Sequence, residues 1–310
     1  MGVPLLGLGA RGVGLDIGEE AVRVVLLKKR DQQFVLAGVG VAEIASWDNE
    51  QGAAQAMLSA LKGAGVRKRD PLVCSIGGRE VVIKKVELPA IPPQQVLEAV
   101  RWHYKETGLL PEEDAVFDTQ VLGPTATGEM NILSVCAPKA LIDKSLRLLE
   151  MAGIAPRHMD VAPLATLNAF LSLQRVAQDE TIVFLSLSKR LPFLCLFNRH
   201  SLVPLVRYFS KEMETPADMV EEIRTSVTYF QTELATPGSS LRCVYCGREE
   251  LFSVLKEEME GLFSLWNLTE PPEVFDPFAI LEWEKSILPP GQSVQGPELA
   301  QAVGLALRVL

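Results

Sequence analysis

The stretch Gly14-Leu15-Asp16-Ile17-Gly18 decides the fold, because an apolar run ends there in an acidic residue and a glycine turn. Two more apolar runs follow at residues 21–27 and 33–41, separated by the charged sequence Lys28-Lys29-Arg30. Short β-branched runs broken by glycine and charge are typical of strands, so the pattern predicts a meander of three antiparallel strands. A glycine in the first turn lets backbone amides approach an anion, and an aspartate there can hold the water of a bound metal. The chain therefore begins as a phosphate-binding β-hairpin would.

The composition predicts an acidic protein with sizeable cores. The 310 residues are 48% hydrophobic and 22% charged, and this length suggests about two domains. The net charge of −9 argues against nucleic-acid binding, which usually needs a basic face. Most of the five cysteines lie in apolar runs, which is typical of reduced core thiols in a cytosolic protein. Cys243 and Cys246 form a Cys-x-x-Cys pair, but the sequence has no second pair to complete a zinc site.

No stretch of the sequence predicts a signal peptide or a membrane span. Residues 1–10 are apolar but lack a basic start, and the apolar residues 181–197 are interrupted by Lys189-Arg190 and Pro192. We therefore expect any association with a membrane to go through a partner.

The opening pattern occurs a second time in the second half of the chain. Residues 182–187, 193–197 and 202–209 again read as strand, turn, strand, turn, strand. Such an internal repeat predicts two like lobes that face each other across a cleft. Residues 71–155 read differently, as strands, helix, strands and helix, and predict a small α+β unit inserted between the lobes.

These observations predict a division of the α/β chain into three parts. The first lobe comprises residues 1–70 plus 156–178, the inserted α+β domain residues 71–155, and the second lobe residues 179–310. A final helix at residues 298–310 is expected to pack back on the first lobe.

Four features together carry a resemblance to a known family. They are the opening Gly14-Leu15-Asp16-Ile17-Gly18, the doubled meander, Met159-Asp160-Val161-Ala162-Pro163-Leu164-Ala165, and the closing Ala302-Val303-Gly304-Leu305-Ala306-Leu307-Arg308. In order and spacing they resemble the PilM-type pilus assembly proteins, relatives of the cell-division protein FtsA in the actin-like ATPase group. The resemblance implies a two-lobed actin-like (ribonuclease H-like) fold with an inserted FtsA 1C-like (SHS2) domain. The fourth actin-like subdomain is predicted to be reduced or missing, because the passage from Phe209 to Pro216 is short.

The resemblance also implies a cofactor, ATP with Mg²⁺, and places its site on particular residues. Asp16 and Gly18 match the first phosphate loop, and Arg23 stands where the family has a basic residue. Ser186 and Ser188 occupy the second loop, and Gly247 follows the fourth strand of the second lobe.

Several departures from the family pattern predict that nucleotide binding is weak or lost. Glu19-Glu20 replace small hydroxyl residues, and two carboxylates repel a triphosphate. Ser186-Leu187-Ser188 stands where the family reads Asp-x-Gly, so a metal-directed carboxylate and a glycine are absent. Phe209-Ser210-Lys211-Glu212 and Cys246-Gly247 replace further glycines. Phosphoryl transfer depends on positioning and charge neutralisation, so these changes predict a scaffold without ATP hydrolysis.

The implied partner is the short cytoplasmic tail of a PilN-like bitopic inner-membrane protein, within the type IV pilus assembly platform. The implied location is the cytoplasm, beneath the inner membrane and attached through that partner. The passage Glu87-Leu88-Pro89-Ala90-Ile91-Pro92 leads into a helix that carries Arg101, Trp102 and Tyr104, our candidates for the binding groove. The alternative for these aromatic residues is a place in the local core.

Three other functions are compatible with the sequence. A working actin-like ATPase would use Asp16 on Mg²⁺ and Arg23 on phosphate. A sugar-kinase-like enzyme would need a catalytic carboxylate, for which Asp160 is a candidate, although a turn or helix-cap role ahead of Pro163 is the preferred interpretation of this residue. The third is a GspL-like component of a type II secretion system.

Overall fold

The structure is a computed structural model. It describes residues 10–18, 20–108, 114–188, 191–201, 203–209, 215–234, 239–266, 268, 270–284 and 295–310. Glu19 and residues 210–214, on which two of the expectations above rest, lie outside these ranges. Within the described part of the chain, no helix is both long enough and apolar enough to cross a membrane.

The elements alternate between strands and helices along most of the chain. The strands are β1 (Arg11–Ile17), β2 (Ala21–Arg30), β3 (Gln33–Glu43), β4 (Leu72–Ile76), β5 (Val82–Leu88), β6 (Ala115–Pro124), β7 (Met130–Pro138), β8 (His158–Val161), β9 (Glu180–Leu187), β10 (Phe193–Asn198), β11 (Leu205–Tyr208), β12 (Ser240–Gly247), β13 (Glu273–Val274) and β14 (Glu282–Trp283). The helices are α1 (Glu50–Gly63), α2 (Pro93–Glu106), α3 (Lys139–Met151), α4 (Ala162–Leu173), α5 (Pro216–Glu233), α6 (Glu249–Leu265), α7 (Pro277–Ile280) and α8 (Ala300–Leu307).

Two large sheets repeat one topology. In the first lobe the order is β14-β3-β2-β1-β4-β8, where β1 to β3 form an antiparallel meander and β4 and β8 add in parallel. In the second lobe the order β11-β10-β9-β12-β13 follows the same rule. Both predicted meanders are therefore present. The third strand of the second meander is only Leu205–Tyr208, shorter than residues 202–209.

A third, three-stranded sheet of order β5-β7-β6 forms the small unit, with α2 packed on one face. The predicted border at residue 71 needs a correction. Strand β4 pairs in parallel with β1, so it belongs to the first lobe's sheet. At the other end, Leu148 and Leu149 of α3 pack in the first lobe's core with α1. The distinct sheet thus spans only β5 to β7.

A shared core joins the two lobes. One cluster of buried side chains runs from β2 and β3 through α4 and α8 to β9, β10 and β12. The predicted last helix differs at its start, because a 3-10 turn at Gly296–Leu299 precedes α8. Its residue Gly304 packs so closely on α4 that an added Cβ would lie 1.7 Å from the Ala165 carbonyl oxygen.

Local signals set several element ends. Thr215 is the N-cap of α5, and Pro216 stands at the first position of the helix. The Thr215 hydroxyl accepts a hydrogen bond from the Asp218 amide, and the Asp218 carboxylate accepts one from the Thr215 amide, which completes a capping box. Cys243 and Cys246 are buried, and burial raises the pKa of each thiol to about 12, as expected of inert core residues.

Candidate functional site

A cleft of about 600 Å³ lies between the lobes, where the turns after the central strands β1 and β9 meet. The six residues predicted for the cofactor site all line this cleft: Asp16, Gly18, Arg23, Ser186, Ser188 and Gly247. They come together because β1 and β9 hold equivalent central places in two like sheets, so the ends of both strands reach the same gap.

Asp16 is held at the base of the cleft on the first-lobe side. Its side chain is buried, and its Oδ1 accepts hydrogen bonds from the Ser75 hydroxyl (3.3 Å) and from the Gln301 amide (2.6 Å). Burial raises the pKa of this carboxyl, while Arg23 and the two hydrogen bonds act in the opposite direction. Three separate elements, β1, β4 and α8, therefore fix the position of one carboxylate.

Glycines open both sides of the cleft to close backbone approach. Gly247, after β12, has φ +100°, and an added Cβ would lie 2.2 Å from the Leu187 carbonyl oxygen. Only glycine satisfies both conditions at that position. On the first-lobe side, Gly77 and Gly78 follow β4 and also line the cleft.

The cleft's charged side chains are engaged with partners from the protein itself. Arg23 lies 2.9 Å from a carboxylate oxygen of Glu298. Arg248 forms an ion pair with Glu20 across the cleft. The Arg79 guanidinium Nε donates a hydrogen bond to the Phe209 carbonyl oxygen at 2.7 Å.

The balance of charges that line the cleft is unfavourable for a magnesium–triphosphate group. Among the described residues that line the cleft, four are carboxylates (Asp16, Glu20, Glu80 and Glu298) and three are arginines (Arg23, Arg79 and Arg248). A site for a triphosphate needs the opposite balance. At the second loop Ser188 accepts a hydrogen bond from the Leu191 amide. Within the described residues, no three His, Cys, Asp or Glu side chains cluster as metal ligands would.

Asp160 does not line the cleft. It lies on β8 at the edge of the first sheet, where its Oδ1 accepts a hydrogen bond from the Val161 amide and its Oδ2 lies 3.5 Å from Arg308. Burial raises the pKa of this carboxyl. Because Asp160 lies on a strand outside the cleft, the candidate catalytic role is wrong for this cleft. The cap alternative is also wrong, since the N-cap of α4 is Val161.

The three candidate partner residues on α2 separate into two environments. Trp102 is 64% exposed. Arg101 is also exposed, and its guanidinium lies 5.5 Å from the centre of the Phe117 ring. Tyr104 is fully buried, with its hydroxyl 2.8 Å from the Ser134 hydroxyl. The helical period turns Tyr104 into the core with Val96 and Val100. Its predicted contact with a partner is therefore wrong, and the core alternative holds.

Several cleft residues were missed by the sequence analysis: Ser75, Gly77, Gly78, Arg79, Arg248, Glu298 and Gln301. The Gly77-Gly78 pair after a predicted strand was a usable signal. Gln301 and Glu298 gave none, because they reach Asp16 and Arg23 from almost the opposite end of the chain.

Comparison with solved structures shows the fold. The chain is similar to a chain of a PilM-PilN type IV pilus biogenesis complex, with a TM-score of 0.76, 22% identity, and coverage of 96% of this chain and 98% of that one. A Bacteroides thetaiotaomicron protein with an actin-like ATPase fold follows, with a TM-score of 0.53, 10% identity and coverage of 91% and 96%. The cytoplasmic domain of EpsL, an inner-membrane component of the Vibrio cholerae type II secretion system, has a TM-score of 0.51, 10% identity and coverage of 96% and 95%.

These three likenesses show a two-lobed actin-like fold. A search of curated protein sequences found no match. A sequence model of the family described as "Type IV pilus assembly protein PilM" matches residues 14–188, which is more than half of the chain. The chain therefore belongs to the PilM family of type IV pilus assembly proteins.

Proposed function

We propose that the protein is a scaffold of the type IV pilus assembly platform, which binds the cytoplasmic tail of a PilN-like inner-membrane protein without hydrolysing ATP. It works in the cytoplasm and reaches the membrane through that tail. Family membership supports the pilus role, and the likeness to a chain from a PilM-PilN complex supports the choice of partner.

The observation that carries the absence of hydrolysis is the difference between the two phosphate loops. Strand β1 ends in Asp16-Ile17, whereas the equivalent strand β9 ends in Ser186-Leu187 and is followed by Ser188. The second lobe therefore contributes hydroxyl groups where a metal-directed carboxylate would be needed. With the surplus of carboxylates around it, the cleft has lost the charge balance that phosphoryl transfer requires.

One observation favours a second candidate, an actin-like protein that still binds nucleotide. Asp16 and the glycines around the cleft are present, and Ser75 and Gln301 hold the carboxylate in one place. Weak binding of ATP would give the scaffold a ligand-dependent state. The likeness to the EpsL domain rests on fold alone, so we do not extend the proposal to type II secretion.

The partner half of the proposal is tested at α2. A fluorescent peptide with the sequence of the PilN-like tail is titrated with the full chain and followed by anisotropy. Truncation of Trp102, which is 64% exposed on α2, is expected to weaken binding by about 2 kcal/mol, roughly thirtyfold, since exposed aromatic anchors dominate such interfaces. Arg101→Ala is expected to have a smaller effect.

Leu265→Ala is the matched control, because Leu265 is 68% exposed but lies at the end of α6 in the second lobe. Equal affinity of the Trp102→Ala variant and the parent chain would place the tail elsewhere. Absence of tail binding by the parent chain would contradict the scaffold proposal itself.

A further inference from the structure

Two contacts cross the cleft and tie the lobes together directly. Glu20 lies in the turn between β1 and β2, and its ion-pair partner Arg248 directly precedes α6 in the second lobe. Arg79, in the loop between β4 and β5, donates its hydrogen bond to the backbone of Phe209, which follows β11. Both contacts therefore join the first-lobe side of the cleft to the second lobe.

The Glu20 carboxylate occupies the place beside Arg248 that an anionic ligand would otherwise take. In two-lobed proteins, closure commonly depends on a ligand that contacts both lobes and so favours the closed state. Here a carboxylate of the first lobe already meets an arginine of the second. An incoming anion has to compete with Glu20 for Arg248, and it gains less than it would at an unengaged arginine.

We propose that the Glu20–Arg248 ion pair and the Arg79–Phe209 hydrogen bond form an interlobe latch that keeps the cleft closed without a bound ligand. The latch extends the proposed function and rests on the absence of ATP hydrolysis. A cleft that does not hydrolyse ATP does not need to open and close with each nucleotide. An anion that reaches Arg248 releases the latch.

The partial exposure of the Glu20–Arg248 ion pair makes it sensitive to salt. The Glu20 and Arg248 side chains are 33% and 36% exposed, so added salt screens them. The Debye length falls from about 10 Å at 0.1 M salt to about 3 Å at 1 M. The Arg79–Phe209 contact is a hydrogen bond to a carbonyl and responds less to salt. The latch therefore loosens in part, rather than fully, at high ionic strength.

The test measures the distance between the lobes in the full chain without nucleotide. Spin labels are placed by Lys62→Cys on α1 and Lys256→Cys on α6, both exposed positions. The native cysteines are at most 2% exposed and do not compete for the label. The parent chain is expected to give one narrow distance distribution, broader at 1 M salt.

Glu20→Gln and Arg79→Ala are each expected to broaden the distance distribution without a large shift of its mean, because each contact is weak and the shared core still joins the lobes. The charge-reversed double variant Glu20→Arg with Arg248→Glu is expected to restore the narrow distribution. Glu273→Gln is the matched control, because its partner Arg242 lies in the same lobe and that pair does not cross the cleft.

An unchanged distribution in Glu20→Gln and Arg79→Ala would overturn the latch, as would failure of the charge-reversed pair to restore it. Far-UV circular dichroism of each variant separates unfolding from opening. Binding of the PilN-like tail is scored separately. If the tail binds but the substitutions leave the lobe distances unchanged, the latch alone is contradicted. If the distances change as expected but the tail does not bind, the proposed function alone is contradicted.

Discussion

The two lobes share one strand order, but the packing of helices inside the first lobe and the packing between the lobes use different means. In the first lobe, glycines let helices lie directly on the strand backbone: an added Cβ at Gly14 would lie 1.9 Å from the Ala302 carbonyl oxygen, and one at Gly40 1.9 Å from that of Ala60. Where α4 of the first lobe meets the sheet of the second lobe, aromatic rings fill the space. Phe170 meets Phe184 and Phe275 edge to face, each with ring centres 5.3 Å apart.

A comparison of the two large sheets shows which features the internal repeat shares and which differ. Sheet order is the same in both lobes, because it follows from the arrangement of strands and crossovers. The residues at the strand ends are not, since Asp16 faces Ser186 and Ser188 across the cleft. The same sheet order therefore carries different residues at the ends of its two central strands.

The largest expected effect comes from the aromatic packing. Phe170→Ala removes a fully buried ring that contacts three other phenylalanines. We expect a loss of about 3–5 kcal/mol in the free energy of unfolding, measured by urea denaturation. The neighbouring Leu171 is 49% exposed, and its replacement by alanine should change stability by at most about 0.5 kcal/mol. Similar losses at both positions would show that the aromatic cluster does not govern the packing between the lobes.

The next effect tests the close packing of the first lobe. Gly14→Ala forces a methyl group against the backbone of α8, and we expect a loss of about 3 kcal/mol, the upper end of the usual overpacking cost. Gly261 on α6 has no atom within 4 Å of an added Cβ, so Gly261→Ala should instead raise stability by about 0.5–1 kcal/mol. A tolerated Gly14→Ala substitution would remove the contrast between these two kinds of packing.

A smaller effect, dependent on pH, distinguishes the two phosphate loops. Burial raises the pKa of Asp16 above its ordinary 3.8, so the folded state holds this proton more tightly than the unfolded chain. The stability that this provides is complete below 3.8 and is lost as the pH rises through the higher folded pKa. Asp16→Asn does not titrate, so its stability relative to the parent should increase as the pH rises across that range.

The control for this titration lies on the opposite loop. Ser186 carries no charge in this range, so Ser186→Ala should change stability by an amount that does not vary with pH. Unfolding free energies measured from pH 3 upward test both variants. A pH-independent difference between Asp16→Asn and the parent would show that the carboxyl is not held as described.

Local sequence patterns predicted most of the strands and helices and the residues that come together in the cleft. The apolar run before Gly18 became β1, and the repeat brought the ends of β1 and β9 together. Each of these depends on neighbouring residues or on the order of strands, which a sequence displays directly.

The remaining features depend on long-range pairing and on helix orientation, which the sequence does not display. Strand β4 looked like part of the insertion because its partner β1 lies far away in sequence. Gln301 could not be assigned to Asp16, since nothing local marks a contact across 285 positions. On α2, Trp102 and Tyr104 are equally aromatic, and only packing against the sheet separates the exposed residue from the buried one.

The most direct test of the account is phosphate release from Mg²⁺–ATP by the purified full chain, with and without the PilN-like tail peptide. The account predicts release at background in both conditions, in the parent and in Asp16→Ala alike, while the peptide binds. Turnover in the parent that Asp16→Ala abolishes would contradict it, because the cleft would then retain the chemistry that its charges and its second loop are argued to have lost.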